Sequence, residues 1–317
     1  RSCSSKKSVT WEELERYIGE EGCFESIFDF APHMLGASGR GWYDRTPVSL
    51  DQFRDAVFAS KAVSQRIGMM ANIIENHDEP RGVSRYLPED AGDEAAKKLL
   101  AGISLMSFGL PFLYQGQEIG MTNKRFLSIR EVDDINTLDE YKVALEHGFS
   151  ETEALAIISG MSRDNARTPM QWNSGPHAGF TDGTPWLAEN ENYGEINAAE
   201  QEGRADSVLS FYKKLIALRT DPEYGEAVVY GLQEPFGQEM EQFTGFYRRG
   251  EKRTLLALAN CRGQELEVEI QHAVRGVVLD NYDEGADSVR IETLEGGSRV
   301  VMKRWQFLVL AVIEDGQ

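Results

Sequence analysis

At Asp221-Pro222 the hydrophobic period of the chain changes, and with it the kind of fold each side can adopt. Before it, amphipathic helices alternate with short apolar runs. Thr10 to Glu13 forms a capping box opening a helix through Ile18, and Gly19 and Gly22 break that pattern. Ser26 to Phe30 reads as a short buried strand. Ser49 with Gln52 caps a second helix with Phe53, Ala56, Val57 and Ala62 on its apolar face, stopped by Gly68. Met69 to Ile74 is the next strand, Asp93 caps a helix with Ala96, Leu99, Leu100, Ile103 and Met106 inward, and Phe112 to Tyr114 follows as a strand. Strand and helix in strict turn predict βαβ units and a parallel sheet. Ser128 to Ser159 reads as a polar, helix-prone excursion, Ala178 to Gly203 as a long ordered loop, and Asp206 as the cap of a last helix through Arg219.

After Pro222 the runs shorten and alternate: Thr244–Tyr247, Thr254–Ala259, Leu266–Ile270, Val274–Leu279, Val289–Ile291, Arg299–Met302 and Phe307–Ile313, separated by Gly, Asp and Asn. That spacing predicts a small antiparallel β domain. The expected division is 1–222 and 223–317, the second close to a hundred residues and large enough to fold alone.

The 317 residues carry a formal net charge of -19, which sets the chain against phosphate backbones and anionic membranes and leaves a neutral small molecule as the better partner. No apolar run has the length of a membrane span. Cys3, Cys23 and Cys261 match no CxxC or zinc spacing, so reduced thiols in a cytoplasmic protein are expected, with no metal and no cofactor. No signal peptide is visible after Arg1. Oligomeric state is left open.

The informative segment is Glu75-Asn76-His77-Asp78-Glu79-Pro80-Arg81, directly after the Met69–Ile74 strand. In a parallel barrel, chemistry sits at the C-terminal ends of strands. A His-Asp pair there is placed to hydrogen-bond a polar ligand, although Asn and Asp also favour caps and turns. Tyr114 to Gly120 follows a second strand end. Ser162 to Trp172 holds Arg163 and Arg167 around Asp164, where an internal salt-bridge network competes with a ligand-binding role. Trp172 and Phe180 are expected to pack, since aromatic residues fill cores more often than they bind sugars.

ENHDEPR, YQGQEIGMTN, SRDNARTPMQW, HAGFT and Asn192 to Asn197, in this order and spacing, resemble the α-amylase family, glycoside hydrolase family 13, in its oligo-1,6-glucosidase and α-glucosidase branch. The resemblance runs from about Val9 to the end. It implies the C-terminal part of a (β/α)8 TIM barrel, strands six to eight, followed by an antiparallel β-sandwich. It implies a retaining hydrolase of α-glucosidic bonds at the non-reducing end of short oligosaccharides. Asp78 matches the family's transition-state stabiliser, His77 the neighbouring sugar-binding histidine, and Arg163 the arginine at the bottom of the pocket; Arg167, nearby, is expected to bind substrate with them. Cleavage passes through a cation-like sugar between a nucleophile and an acid about 5–5.5 Å apart, and a third carboxylate contributes where its hydrogen bonds tighten in the transition state. An arginine fork suits recognition of a terminal glucose.

Of the family's four signature regions only the last, Asn76-His77-Asp78, is present. The Asn-His pair, the Arg-x-Asp nucleophile and the acid/base Glu are not found, and the segment after Val9 resembles the family's stretch just beyond that Glu. The expectation is therefore a chain inactive by itself. Glu12, Glu13, Glu20 and Glu21 read as a solvated face. A glucosyl-transferring or sucrose-isomerising relative, and a non-catalytic transporter heavy chain of the same barrel type, are the competing readings; retention of His77, Asp78 and Arg163 weighs against the latter. The family's usual calcium site lies with early strands absent here.

Overall fold

The computed structural model describes residues 11–89, 91–283 and 289–313. Thr10 and Cys3 lie outside them. Trp11–Arg16 is a 3-10 helix where an α-helix to Ile18 was expected. Glu13, Glu20 and Glu21 are exposed.

The barrel-like part is built on parallel pairing. Phe28 bridges Ala71, and Ala71–Asn72 (β1) pairs with Leu110–Pro111 (β2). The third strand begins two residues earlier than expected because Gly109, at φ +132°, turns the chain straight into it; a Cβ there would lie 2.5 Å from the Met70 carbonyl. Regular pairing is short, and buried side chains carry much of the register. Lys61 Nζ reaches Asp29 at 2.8 Å and Asn72 Oδ1 at 2.6 Å, while Asn72 Nδ2 donates to the Ser107 and Phe108 carbonyls at 3.1 and 3.2 Å.

Helices line one side of these strands. Leu50–Ser64 starts at the expected Ser49–Gln52 capping box and buries Phe53, Val57 and Phe58, but Ala62 faces outward. Glu94–Met106, capped by Asp93, buries every expected position. Val208–Leu218 is capped by Ser207, whose hydroxyl accepts from the Ser210 amide, rather than by Asp206. The polar excursion holds two helices, Ile135–Glu146 and Glu151–Met161. The long loop contains a short helix, Ala198–Glu202.

Ten strands in all include eight beyond residue 231: Leu232–Phe236 (β3), Phe243–Arg249 (β4), Thr254–Asn260 (β5), Leu266–Ile270 (β6), Ala273–Asp280 (β7), Arg290–Leu294 (β8), Gly297–Met302 (β9) and Phe307–Ile313 (β10), counted among the described residues. They form a five-stranded sheet in the order β3-β4-β5-β10-β7 and a three-stranded sheet β6-β9-β8. Seven match expected runs. β3 was not foreseen, nor the helix Gly225–Tyr230 before it. Pro235 lies in β3, which is tolerated because β3 is an edge strand.

The larger sheet is buried on both faces. Leu256 and Leu258 of β5 and Leu308, Leu310 and Val312 of β10 meet Leu266, Val268 and Val300 of the smaller sheet. The alternate residues Leu255, Ala257, Ala259, Phe307, Val309 and Ala311 join one core with Leu99, Leu100, Ile103 and Phe211 of the helices. This double burial explains why β5 and β10 read as continuous apolar runs. It also argues against independent folding of the β domain, whose helix-facing side would be uncovered by excision. Buried arginines stitch the seam: Arg54 Nη1 donates to the Phe243 carbonyl at 2.7 Å, and Arg248 Nη1 to the Met106 carbonyl at 2.6 Å.

Around the parallel strands several large apolar side chains remain in water. Phe24, Phe28, Phe30, Met34, Phe112 and Leu113 are all exposed, with the Phe28 and Phe112 rings 5.0 Å apart.

Candidate active site

The ENHDEPR turn leaves β1 through buried Ile73 and Ile74. Asn76 shapes it: its Oδ1 accepts from the Asp78 amide at 2.7 Å and its carbonyl from the Glu79 amide at 3.3 Å. Pro80 ends the turn, and Arg81 precedes the helix Gly82–Tyr86. The turn therefore lifts His77 and Asp78 into the open while its two ends are locked beneath them. The side chains of His77 and Asp78 are 71% and 53% exposed, against 0% for Arg81 and 1% for Glu75.

Glu75 and Arg81 form the lock. Glu75 Oε2 accepts from the Gly82 amide at 2.5 Å, and Oε1 lies 3.3 Å from Arg81 Nη1. Arg81 Nη1 also donates to the Gln115 carbonyl at 2.6 Å, Nε to the Asn165 carbonyl at 3.3 Å and Nη2 to the Ala166 carbonyl at 3.4 Å. Its backbone amide reaches Asn123 Oδ1 at 2.8 Å. One guanidinium thus ties together ENHDEPR, YQGQEIG and SRDNAR. Tyr114 adds a second tie through its hydroxyl to the Ala166 carbonyl at 3.1 Å. Complete burial pushes the Glu75 carboxyl up from its usual range, against the opposing pull of Arg81.

Arg163 and Arg167 stand one helical turn apart, at the start and end of the short helix Asp164–Arg167, so their side chains share a face. Asp78 Oδ1 lies 3.0 Å from Arg167 Nη2 and 3.4 Å from Arg163 Nη1. Arg167 Nε also donates to the His77 carbonyl at 2.9 Å. His77 Nε2 is 3.5 Å from Asp78 Oδ2. The structure therefore brings all four expected residues together.

The arginines are themselves held from behind by Asp134, absent from the sequence-based candidates. Arg163 Nε donates to Asp134 Oδ1 at 2.9 Å, and Arg167 Nη1 lies 3.6 Å from the same atom. Burial alone would raise Asp134, but hydrogen bonds from Arg163 and from the Thr137 hydroxyl and amide hold it below the usual carboxylate range. Asp164 does not simply pair with its flanking arginines. Its buried Oδ2 accepts from the Asp133 and Asp134 amides at 2.8 and 3.0 Å. Both arginines thus belong to the internal network and to the exposed Asp78 corner at once. Trp172 and Phe180, expected to pack, are half exposed; the HAGFT turn swings Phe180 outward through left-handed His177, Ala178 and Gly179.

The family model for the alpha amylase catalytic domain matches residues 10–231. The chain belongs to the α-amylase family. It is 36% identical over 301 residues to the oligo-1,6-glucosidase of Bacillus cereus, covering 93% of this chain and 53% of that protein. Among solved structures it is similar to the isomaltulose synthase of Klebsiella sp. LX3, with a TM-score of 0.85 at 30% identity over 96% of this chain and 54% of the other. It is equally similar to the trehalose-6-phosphate hydrolase of Bacillus licheniformis, with a TM-score of 0.85 at 30% identity over 97% and 55%. The chain spans about half the length of the relatives it matches. Its α/β fold is accordingly part of the (β/α)8 barrel of this family with the antiparallel β domain behind it. Among the described residues no helix is long and apolar enough to cross a membrane.

Proposed function

We propose that this chain supplies the C-terminal portion of the pocket of a retaining α-glucosidase, acting on α-1,6 or α-1,4 bonds at the non-reducing end of short oligosaccharides. In this reading residues 1–222 belong to the catalytic barrel and 223–317 form the β domain that backs it. Asp78 grips the hydroxyls of the terminal glucose and tightens its hold as the ring flattens toward the oxocarbenium ion. His77 donates to a neighbouring hydroxyl. Arg163 closes the pocket, and Arg167 orients Asp78 and the His77 carbonyl. The observation that carries the reading is the convergence of Asp78 with Arg163 and Arg167 at a strand end, from segments 85 residues apart in sequence.

The nucleophile and acid/base of a retaining reaction have no counterpart in these 317 residues. The exposed phenylalanines beside the parallel strands mark where the rest of such a barrel would pack. By itself the chain therefore turns over no α-glucoside. In the polypeptide that also carries the two other carboxylates, Asp78→Asn lowers kcat on an aryl α-glucoside by about 10²- to 10³-fold. Turnover by residues 1–317 alone, or full activity of the Asp78→Asn enzyme, overturns the reading. A sucrose-isomerising activity is the second reading, supported by the likeness to isomaltulose synthase. Product analysis on sucrose separates the two: glucose and fructose for a hydrolase, a linkage isomer for the alternative.

A further inference from the structure

Trp186 is 68% exposed, yet its ring is not loose. Its indole Nε1 donates to Asp133 Oδ2 at 2.7 Å. The backbone amides of Asp133 and Asp134 are both fixed by buried Asp164, and Asp134 holds Arg163. The ring is thus mounted on the scaffold that positions Arg163 against Asp78. The segment just behind it is pinned as well. Leu187 is buried, Lys124 Nζ donates to the Glu189 carbonyl at 3.2 Å, and Asn190 Nδ2 donates to the Thr122 and Asn123 carbonyls at 3.0 and 3.1 Å. Among the described residues no aromatic ring stacks on it.

An indole that is two-thirds exposed gains little for stability from its apolar faces, whereas one held rigid at its polar edge loses little freedom on binding a ligand. By contact and bond lengths, the path from Asp78 through Arg163, Asp134 and Asp133 to the indole spans on the order of 20 Å at most. That bounds it to the span of a short oligosaccharide seated at Asp78, and its hydrogen bond goes to Asp133 rather than to any of the four corner residues. The apolar C–H face of a pyranose is the surface that complements a free indole face at such a distance. We propose that Trp186 is a stacking platform for a sugar ring beyond the terminal glucose, so that the site prefers linear α-glucosides of three or more units. The proposal rests on the reading of Asp78 and Arg163 as the terminal-glucose pocket.

Ligand-observed NMR titration of the 317-residue chain tests it, with glucose and an α-1,6-linked glucose trisaccharide as probes. Trp186→Ala weakens the trisaccharide roughly five- to tenfold and glucose far less, and Trp186→Phe recovers most of the loss. Arg163→Gln weakens both sugars. A Trp186→Ala chain that loses as much affinity for glucose as for the trisaccharide, or a wild-type chain that binds glucose but holds the trisaccharide no better, overturns the platform. Unchanged binding of both sugars by Arg163→Gln overturns the pocket reading instead, so the two failures are distinct.

Discussion

Two arginine–carboxylate clusters, whose carboxylates Glu75 and Asp78 lie three residues apart in sequence, have opposite characters. Glu75 and Arg81 are sealed, each side chain at most 1% exposed, and every partner of Arg81 is fixed backbone or side chain. Asp78 with Arg163 and Arg167 is half open, its carboxylate 53% exposed. The chemistry is the same in both, guanidinium against carboxylate. What differs is water: a sealed pair has nothing but protein to satisfy it and so fixes geometry, while an open pair can exchange its partners for the hydroxyls of a ligand.

The sharpest break of this contrast is Arg81→Ala. It strands a buried carboxylate and releases three loops, and the expected loss is about 3–5 kcal/mol in urea unfolding. The double change Glu75→Leu with Arg81→Met removes both charges and regains most of that loss. A single variant as stable as wild type would mean that the lock is ornamental.

Asp134 shares a trait with each cluster: it is buried like Glu75 but bonded to the open arginines. Asp134→Asn keeps the shape and loses the charge, with an expected cost of about 1–3 kcal/mol near neutral pH. The pH dependence separates it from Glu75. Asp134 is held below its unfolded value, so its contribution is complete above about pH 4 and is lost as pH falls through the lower folded value. Glu75 is held above its unfolded value. It favours the fold most when protonated, below about pH 4, and its contribution declines as pH rises toward the higher folded value. Urea midpoints followed across pH therefore show Asp134→Asn flattening the acid limb and Glu75→Gln flattening the decline above it. Parallel curves for both variants would contradict the opposite signs.

The open cluster was legible in sequence through its resemblance to a known family, and the sealed one was not. His77, Asp78, Arg163 and Arg167 stand in short motifs that match that family's, although Asp78 and Arg163 are 85 positions apart and nothing local foretells their meeting. Arg81 was in view as the last letter of ENHDEPR, but its role depends on the Gln115, Asn165 and Ala166 carbonyls, up to 85 positions away. Asp134 shows itself as an N-cap with Thr137 three residues on, a local pattern; its grip on Arg163 is not local. The same division runs through the fold. Helical spacing and alternating runs located the long helices Leu50–Ser64, Glu94–Met106 and Val208–Leu218 and most strands of the β domain, whereas β3 escaped because Pro235 and a polar run disguise an edge strand whose pairing with β4 is decided by register.

A milder change probes the open cluster. Arg163→Lys keeps a charge beside Asp78 and Asp134 but lacks the planar fork that serves both at once. Its expected effect on stability is below about 1 kcal/mol, because the pair is part-exposed and water can replace the lost donor. Glucose binding by the same variant falls several-fold in the NMR titration. A large loss of stability with binding intact would move Arg163 into the sealed class.

The smallest effect is the most instructive control. Arg290 Nη2 lies 2.6 Å from Glu265 Oε1, closer than Arg81 to Glu75, but both side chains are 62% exposed. Arg290→Ala on β8 is expected to change the unfolding free energy by no more than about 0.5 kcal/mol, and by less still in high salt. If distance governed the strength of these pairs, this one would outrank the lock under the ENHDEPR turn. If burial governs it, as the contrast between the two clusters holds, the order is reversed. A destabilisation by Arg290→Ala approaching that of Arg81→Ala would show that contact distance, not exclusion of water, sorts the arginines of this chain.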